Sequence, residues 1–97
     1  MTSPAGRWRI DKIANQARRT IETLDPGTQD RILEKIESLE TDPFSGDIKK
    51  IRAKRDIYRA RLGAFRIYFR INPIKGEIDI LLVDQRGSIK ERTLGRI

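Results

Sequence analysis

The alternation of apolar and polar side chains between Ile57 and Ile71 constrains the fold of this chain more than any other feature. The sequence of the stretch is IYRARLGAFRIYFRI. A period of two on both sides of Gly63 is typical of half-buried strands. Gly63 and Ala64 separate the two runs, and a two-residue loop with glycine at its first central position suits a tight hairpin turn. The stretch therefore predicts two antiparallel strands joined by a short turn.

The predicted turn also sets the register of the hairpin. It pairs Leu62 with Phe65, Arg61 with Arg66, Ala60 with Ile67, Arg59 with Tyr68, and Tyr58 with Phe69. Residues that lie opposite each other share a face, so one face is apolar and the other basic. The basic face carries Arg59, Arg61, Arg66, Tyr68 and Arg70. Arg61 and Arg66 form a like-charge pair, which is accommodated if both side chains extend into water or if an anion lies between them.

The composition limits what such a basic surface can do. The chain of 97 residues has a formal charge of +7 and a pI of about 10.2, which favours a nucleic acid, an acidic protein or an anionic surface as partner. It contains no histidine and no cysteine, which excludes zinc hydrolysis on histidine ligands, a Ser-His-Asp triad and disulfides. No apolar run is long enough to span a membrane and no signal peptide follows Met1, so a cytoplasmic protein without membrane association is expected.

The N-terminal half predicts a strand followed by two helices. Residues 7–13 alternate weakly and indicate a short strand, in which Trp8 is interpreted as a packing residue. Residues 14–24 have apolar side chains at helical spacing. Asp25-Pro26 separates this helix from the next, because proline disfavours helix in the residue before it and suits the first turn of a helix. Asp25 is the predicted N-cap of the second helix, which Asp42-Pro43 ends.

These elements define an α+β fold. A small antiparallel-type sheet of about four strands is expected to pack against an N-terminal helical hairpin, in the order β-α-α-β-β-β. The last strand, residues 77–83, has apolar residues on both faces, which indicates a central position in the sheet. The chain is expected to be one domain over residues 1–97, with residues 1–6 flexible and residues 88–97 forming a helix or an extended arm.

The remaining basic residues concentrate near the predicted hairpin. Half of the acidic residues fall between Glu22 and Asp42, so the helices carry much of the negative charge. A basic loop precedes the hairpin and contains Lys49, Lys50, Arg52, Lys54 and Arg55. Arg86 follows the last strand. Arginine presents a planar fork that matches phosphate oxygens, so this surface predicts nucleic-acid binding. Tyr68 could stack on a base or form a hydrogen bond with a phosphate.

RNA cleavage is compatible with these residue types and requires no metal or cofactor. RNA carries its own nucleophile, the 2′-hydroxyl, and arginines can stabilise the negative charge that develops during its attack on phosphorus. Arginine itself is a poor base because it is never deprotonated. Lys54, Tyr68, Asp84, water or the substrate could accept the proton, and the sequence leaves these alternatives open.

The layout resembles the RelE/ParE toxin superfamily over residues 8–86. The most specific similarity is the segment YRARLG at residues 58–63, followed by FRI at residues 65–67. The segment RILEKI at residues 31–36, the Asp42-Pro43 pair and VDQRG at residues 83–87 are also similar to the family.

The resemblance implies a toxin of a type II toxin–antitoxin pair. RelE-like members enter the ribosomal A site and cut messenger RNA without metal, with functional basic residues on the second, third and last strands of the expected sheet. Those positions are Arg59, Arg61, Arg66 and Arg86 here, which the resemblance makes catalytic. The basic loop, together with Tyr68 and Arg70, would contact RNA, and ribosomal RNA in particular. An acidic antitoxin would bind the toxin in a hetero-oligomer.

The chain departs from the RelE pattern at two places. RelE-like nucleases often carry lysines on the second strand, where this chain has Arg59 and Arg61, and a tyrosine after the last-strand arginine, where this chain reads GSIKERT. These departures concern the cleavage mechanism. They leave two alternatives to an mRNA endonuclease: a ParE-like toxin that inhibits DNA gyrase, and a non-catalytic RNA-binding domain.

Overall fold

The computed structural model describes residues 8–44, 46–51 and 55–85, and the structural statements below refer to these residues. Two helices and five strands follow one another along the chain. They are β1 (Arg9–Ile13), α1 (Asn15–Glu22), α2 (Pro26–Ser38), β2 (Ile48–Lys50), β3 (Ile57–Leu62), β4 (Phe65–Asn72) and β5 (Glu77–Gln85). The five strands form one sheet in the order β1-β5-β4-β3-β2.

The α+β class is confirmed, and the sheet differs from the prediction in two respects. It has five strands, because Ile48–Lys50 pairs with β3 where the sequence indicated only a basic loop. A strand of three residues is too short to show alternation. The sheet is also mixed, because β1 runs parallel to β5. The direction of β1 depends on a partner far along the chain, so local sequence does not reveal it.

The register predicted for the β3–β4 hairpin is confirmed. All five predicted pairs are present, and Ile57 opposite Arg70 extends the ladder by one more pair. Gly63 in the turn has a φ of 57°, in the left-handed region that glycine adopts without steric cost. The turn and the alternation therefore specify the same arrangement.

The two helices pack on one face of this sheet. α1 buries Ala17 and Ile21. The N-cap predicted for α2 is confirmed, because the Thr28 backbone N–H donates to Asp25 Oδ2 at 3.1 Å and the Thr28 hydroxyl donates to Asp25 Oδ1 at 2.7 Å. α2 ends at Ser38, earlier than the Asp42-Pro43 pair, and a turn fills the interval.

The main core lies between the helices and the sheet. Its buried residues are Ala17, Ile21, Ile32, Ile36, Leu39, Ala60, Ile67, Phe69, Ile71, Ile78, Ile80 and Val83. Trp8 packs against this core, as predicted, and its ring centroid lies 5.8 Å from that of Phe44. The ring centroid of Phe44 lies in turn 5.5 Å from that of Tyr58, although half of the surface of Phe44 remains exposed. These aromatic rings line one end of the core.

β5 lies inside the sheet, between β1 and β4, as its two apolar faces predicted. Partway along the strand, however, the regular alternation of its side chains between the two faces is interrupted. Ile80 lies opposite Phe69, whereas Leu82 lies opposite Tyr68, so Leu81 is an extra residue in the ladder. Such a bulge reverses the alternation of every residue beyond it. Val83 therefore joins the main core, while Leu82 lies on the other face of the sheet.

Replacing Asp25 by alanine removes both acceptors at the start of α2, so we expect a lower urea midpoint. The pKa of Asp25 lies below its ordinary value of 3.8, first because the Thr28 hydroxyl donates to it. A carboxyl with a lowered folded-state pKa stabilises the fold above its unfolded pKa, and this stabilisation is lost as the pH falls through the folded-state pKa. The difference between wild type and Asp25→Ala should thus be largest at neutral pH and shrink below pH 3.8.

Urea unfolding followed by circular dichroism checks this expectation. Glu34→Ala, at an exposed position in the middle of α2, is the control and should leave the midpoint nearly unchanged. Equal midpoints for wild type and Asp25→Ala at pH 7 would contradict the role of the cap.

Candidate nucleic-acid interface

The sheet face opposite the helices, called the outer face below, carries most of the predicted site. Its side chains lie in rows that cross the strands. The first row is Arg61, Arg66 and Asp84; the second is Lys49, Arg59, Tyr68 and Leu82; the third is Ile57, Arg70, Asp79 and Lys12. Residues directly opposite each other in such rows have Cβ atoms roughly 4.5–5.5 Å apart, so their side chains interact.

Arg61 and Arg66 lie next to each other in the first row. Arg61 is exposed and Arg66 is half-buried, so their guanidinium groups differ in access to solvent. Two adjacent guanidinium groups repel each other, and a bound anion removes that repulsion. The arrangement therefore suits a phosphate group that bridges the two strands.

Asp84 completes this row because of the bulge in β5. A regular ladder would place Val83 opposite Arg66, and the extra residue Leu81 brings Asp84 there instead. The Asp84 side chain is only 2% exposed, and it is the one charged side chain that is buried in the described part of the chain. A buried carboxylate requires a positive partner or hydrogen bonds to remain ionised. Arg66 is the adjacent cation in the register.

Tyr68 is buried, which leaves its ring little surface for stacking on a base. Its side chain is 1% exposed and belongs to a second, smaller cluster of buried residues on the outer face. The other members are Ile51, Ile57 and Leu82, with Leu81 packed against them. The sequence showed Ile57 on this face, but Ile51 and Leu82 reach it only through the position of β2 and the bulge of β5.

The environment of the Tyr68 hydroxyl also argues against a role as a base. Burial raises the pKa of Tyr68 above its ordinary value of 10.0, while the charge of Arg59 and hydrogen bonding with it lower the pKa, and burial prevails. The charge of Asp84 raises this pKa further and that of Arg66 lowers it. The phenol is therefore protonated at neutral pH and can act only as a hydrogen-bonding group.

A shallow cleft at the β2 edge offers a second place for an anion. It has a volume of about 220 Å³ and is lined by Gly46, Asp47, Ile48, Lys49, Arg59 and Arg61. The Arg61 backbone N–H donates to the Asp47 carbonyl at 3.0 Å, which holds the connector before β2 against β3. Arg61 lines this cleft and also belongs to the Arg61–Arg66 pair, so the two places adjoin each other.

The predicted basic loop divides between the two faces of the sheet. Lys49 lies opposite Arg59 on the outer face, whereas Lys50 lies opposite Tyr58 on the helix-facing side. Arg55 is exposed in the turn before β3, and Arg70 is half-buried on the outer face. The other predicted site residues, Arg52, Lys54 and Arg86, lie outside the described residues. Sequence reasoning also missed Asp47, whose place in the cleft depends on the pairing of β2.

Among residues 8–44, 46–51 and 55–85, no group of three or more acidic side chains is arranged to hold a metal ion. Neither α1 nor α2 is long and apolar enough to cross a membrane.

Solved structures with the same architecture are complexes and free forms of small toxins. The RelE–RelB complex from the archaeon Pyrococcus horikoshii is 31% identical, with a TM-score of 0.71 over 84% of this chain and 98% of that chain. The RelBE toxin–antitoxin complex from Mycobacterium tuberculosis is 25% identical, with a TM-score of 0.70 over 82% and 99% of the two chains. A mutant of free Escherichia coli RelE has a TM-score of 0.75 over 94% and 98%, and its 16% identity supports the fold alone. No curated protein sequence matches the chain.

The two-helix, five-stranded architecture with its basic outer face thus defines a RelE-like toxin domain. The family model described as the ParE toxin of type II toxin–antitoxin systems matches residues 10–89. The chain belongs to this family, within the RelE/ParE toxin superfamily that its sequence resembled.

The titration of Tyr68 can be measured directly, because Tyr58 is the only other tyrosine. In a Tyr58→Phe variant, the phenolate absorbance at 295 nm should rise with a midpoint above pH 10.0, because burial disfavours the charged form. The same variant unfolded in guanidinium chloride is the control and should titrate near the ordinary value. A folded midpoint below 10.0 would contradict the buried environment of Tyr68.

The two adjacent lysines of β2 provide a matched test of which face binds RNA. Lys49→Ala should weaken binding of a single-stranded RNA oligonucleotide and reduce the slope of log affinity against log salt by about 0.7, as for one lost phosphate contact. Lys50→Ala removes the same charge from the other side of the sheet and should change neither quantity appreciably. Fluorescence anisotropy over a range of salt concentrations measures both. Equal losses for the two variants would contradict binding at the outer face.

Proposed function

We propose that this toxin is a ribosome-dependent mRNA endonuclease that acts in the cytoplasm. The observation that carries the proposal is the placement of Arg61 directly opposite Arg66 on the outer face of the sheet. This pair presents two guanidinium forks at the spacing of neighbouring strands, and a phosphodiester is the anion in RNA that such a pair suits. The similarity to RelE structures supports the same proposal.

In the proposed reaction the 2′-hydroxyl oxygen attacks the adjacent phosphorus, the new O2′–P bond forms and the P–O5′ bond breaks. The products are a 2′,3′-cyclic phosphate and a 5′-hydroxyl end, because the departing 5′-oxygen takes up one proton from water while the 2′-hydroxyl loses one. Arg61 and Arg66 bind the non-bridging oxygens and stabilise the charge that develops on them. Removal of one such donor typically costs roughly 100–1,000-fold in rate. Arg59 lies one row away, and Arg86 is assigned beside the phosphate by resemblance.

Fewer groups can accept the 2′-hydroxyl proton than the sequence indicated. The raised pKa of Tyr68 makes it an unsuitable base at neutral pH. Asp84 is 2% exposed, so its carboxylate lies below the surface that a ribose would contact. Lys54, water or the substrate itself remain as acceptors of the 2′-hydroxyl proton.

We further propose that an acidic antitoxin binds this toxin and covers the outer face in a hetero-oligomer. RelE–RelB complexes from Pyrococcus horikoshii and Mycobacterium tuberculosis are toxin–antitoxin assemblies of the same fold. The outer face concentrates Lys49, Arg59, Arg61 and Arg66, which gives it the charge that an acidic segment complements. An antitoxin on this face would exclude RNA from the same residues.

Arg61→Ala and Arg66→Ala should each abolish growth arrest when the toxin is expressed, because each removes one fork from the phosphate. Arg61→Ala should leave the domain folded, since Arg61 is exposed. Arg66→Ala removes the cation next to the buried Asp84 and should lower stability, so circular dichroism must show that this variant is folded at the assay temperature. Arg19→Ala, at an exposed position on α1, is the matched control and should remain toxic.

The measurement is the mapping of mRNA 5′ ends after induction, with and without translation. Cuts inside coding regions that require translation are expected for wild type and Arg19→Ala, and none for the two site variants. The assignment would be wrong if an Arg61→Ala, Arg66→Ala double variant still yielded cut messages.

A second candidate function is inhibition of DNA gyrase. It is favoured by the match to the ParE toxin model and by the arginines that stand where RelE-like nucleases often have lysines. Supercoiling assays with purified gyrase separate the two proposals, because only the second predicts loss of supercoiling. Absence of both activities and of growth arrest would instead indicate a non-catalytic RNA-binding domain.

A further inference from the structure

Asp84 is a buried charge with no part in the reaction proposed above. It lies near the end of β5, directly opposite Arg66, and is the one buried charged side chain in the described ranges. The bulge at Leu81 brings it to this place, and a regular ladder would have put the apolar Val83 there. The fold thus replaces an apolar neighbour of Arg66 by a carboxylate.

Solvent exposure decreases along the row from Arg61 through Arg66 to Asp84. Arg61 is exposed, Arg66 is half-buried and Asp84 is buried. An ionised carboxylate out of water is costly unless a cation lies close to it. The same negative charge offsets the repulsion between the two arginines and attracts the guanidinium nearer to it, which is that of Arg66.

The electrostatic environment of the Tyr68 hydroxyl agrees with this placement. The charge of Asp84 raises the pKa of this phenol, and the charges of Arg59 and Arg66 lower it. The register gives the same neighbours, because Arg59 lies directly opposite Tyr68, and Arg66 and Asp84 lie in the adjacent row. Tyr68 itself is fixed in the small cluster with Ile51, Ile57 and Leu82.

We propose that Asp84 is a positioning residue that holds the Arg66 guanidinium in the orientation in which it and Arg61 bind one phosphate. Asp84 acts through Arg66 and does not touch the substrate, because its side chain lies below the surface. The consequence for catalysis rests on the proposed function, whereas the constraint on Arg66 can be measured without any reaction.

The constraint is measured on the free toxin by NMR of the arginine Nε–Hε groups. In Asp84→Asn the Arg66 signal should shift and show increased fast motion in its heteronuclear relaxation, because the neutral amide attracts the guanidinium less. Asp79→Asn is the matched control, since Asp79 lies on the same strand and face but opposite Arg70. It should affect Arg70 and leave Arg66 unchanged. An unchanged Arg66 signal in Asp84→Asn would overturn the proposal.

The effect on the reaction is measured by a double-mutant cycle with Arg66→Gln. In single-turnover cleavage on translating ribosomes at saturating toxin, Asp84→Asn should slow the reaction roughly 10–100-fold, the cost of a misplaced group. In the Arg66→Gln background the same change should cost little more, because Asp84 then has nothing to position. Equal losses in both backgrounds would overturn the proposal, because Asp84 would then act independently of Arg66.

A conservative variant separates positioning from simple filling of space. Asp84→Glu retains the charge with a longer side chain, whereas Asp84→Asn retains the shape without the charge. If Asp84 positions Arg66, Asp84→Glu should retain a higher cleavage rate than Asp84→Asn. It should also show less fast motion of the Arg66 Nε–Hε group. The opposite ranking would show a structural role and overturn the proposal.

The outcomes also distinguish this proposal from the proposed function. If the wild-type toxin does not cut mRNA on ribosomes, the endonuclease assignment fails. The arginine spectra, together with the same cycle measured as affinity for a 2′-O-methyl RNA oligonucleotide, then decide the positioning role. Non-additive losses in that affinity support it, and additive losses overturn it.

Discussion

The antiparallel pairing of β3 with β4 is the interaction on which the rest of the molecule depends. A left-handed glycine, Gly63, begins the turn, and the register that follows sets Arg61 against Arg66 and Ala60 against Ile67. A slip of one residue would expose Ile67 and place arginines beneath the helices. The core and the basic face are thus two consequences of one alternation, so a change of register would destroy both together.

The outer face contains apolar side chains as well as charged ones. Tyr68, Ile57, Ile51 and Leu82 form a small apolar cluster among the basic side chains of the outer face, and the sheet is therefore packed on both sides over part of its area. A charged side chain that projects from such a cluster has fewer accessible rotamers than one on an open sheet. Preorganised arginines lose less conformational entropy when they bind a phosphate.

Local features of this fold were predictable from sequence, and features that depend on distant partners were not. The hairpin register and the Asp25 cap follow from residues close together in the chain. The strand at Ile48–Lys50 and the parallel direction of β1 depend on partners that only the assembled sheet supplies.

The candidate site shows the same division. Its arginines were predictable because they alternate with core residues in one hairpin. The burial of Tyr68 was not, because it depends on Ile51 and the position of β2, and the place of Asp84 was not, because it depends on the extra residue Leu81 in β5. Nothing in the run of apolar residues at this point indicates which one lies outside the regular ladder, since a bulge there leaves both faces apolar.

Because β1 pairs with β5, the sheet can be completed only after β5 has been synthesised. Arg9 bonds to Glu77 across this contact, although the two are 68 residues apart. The first of the described strands therefore remains unpaired until the last of them has been synthesised, and pairing over such a separation is slow. A chain interrupted before Glu77 would lack Asp84 and leave both β1 and β4 with an open edge, which favours aggregation. Premature termination should therefore yield an insoluble fragment and no partly active toxin.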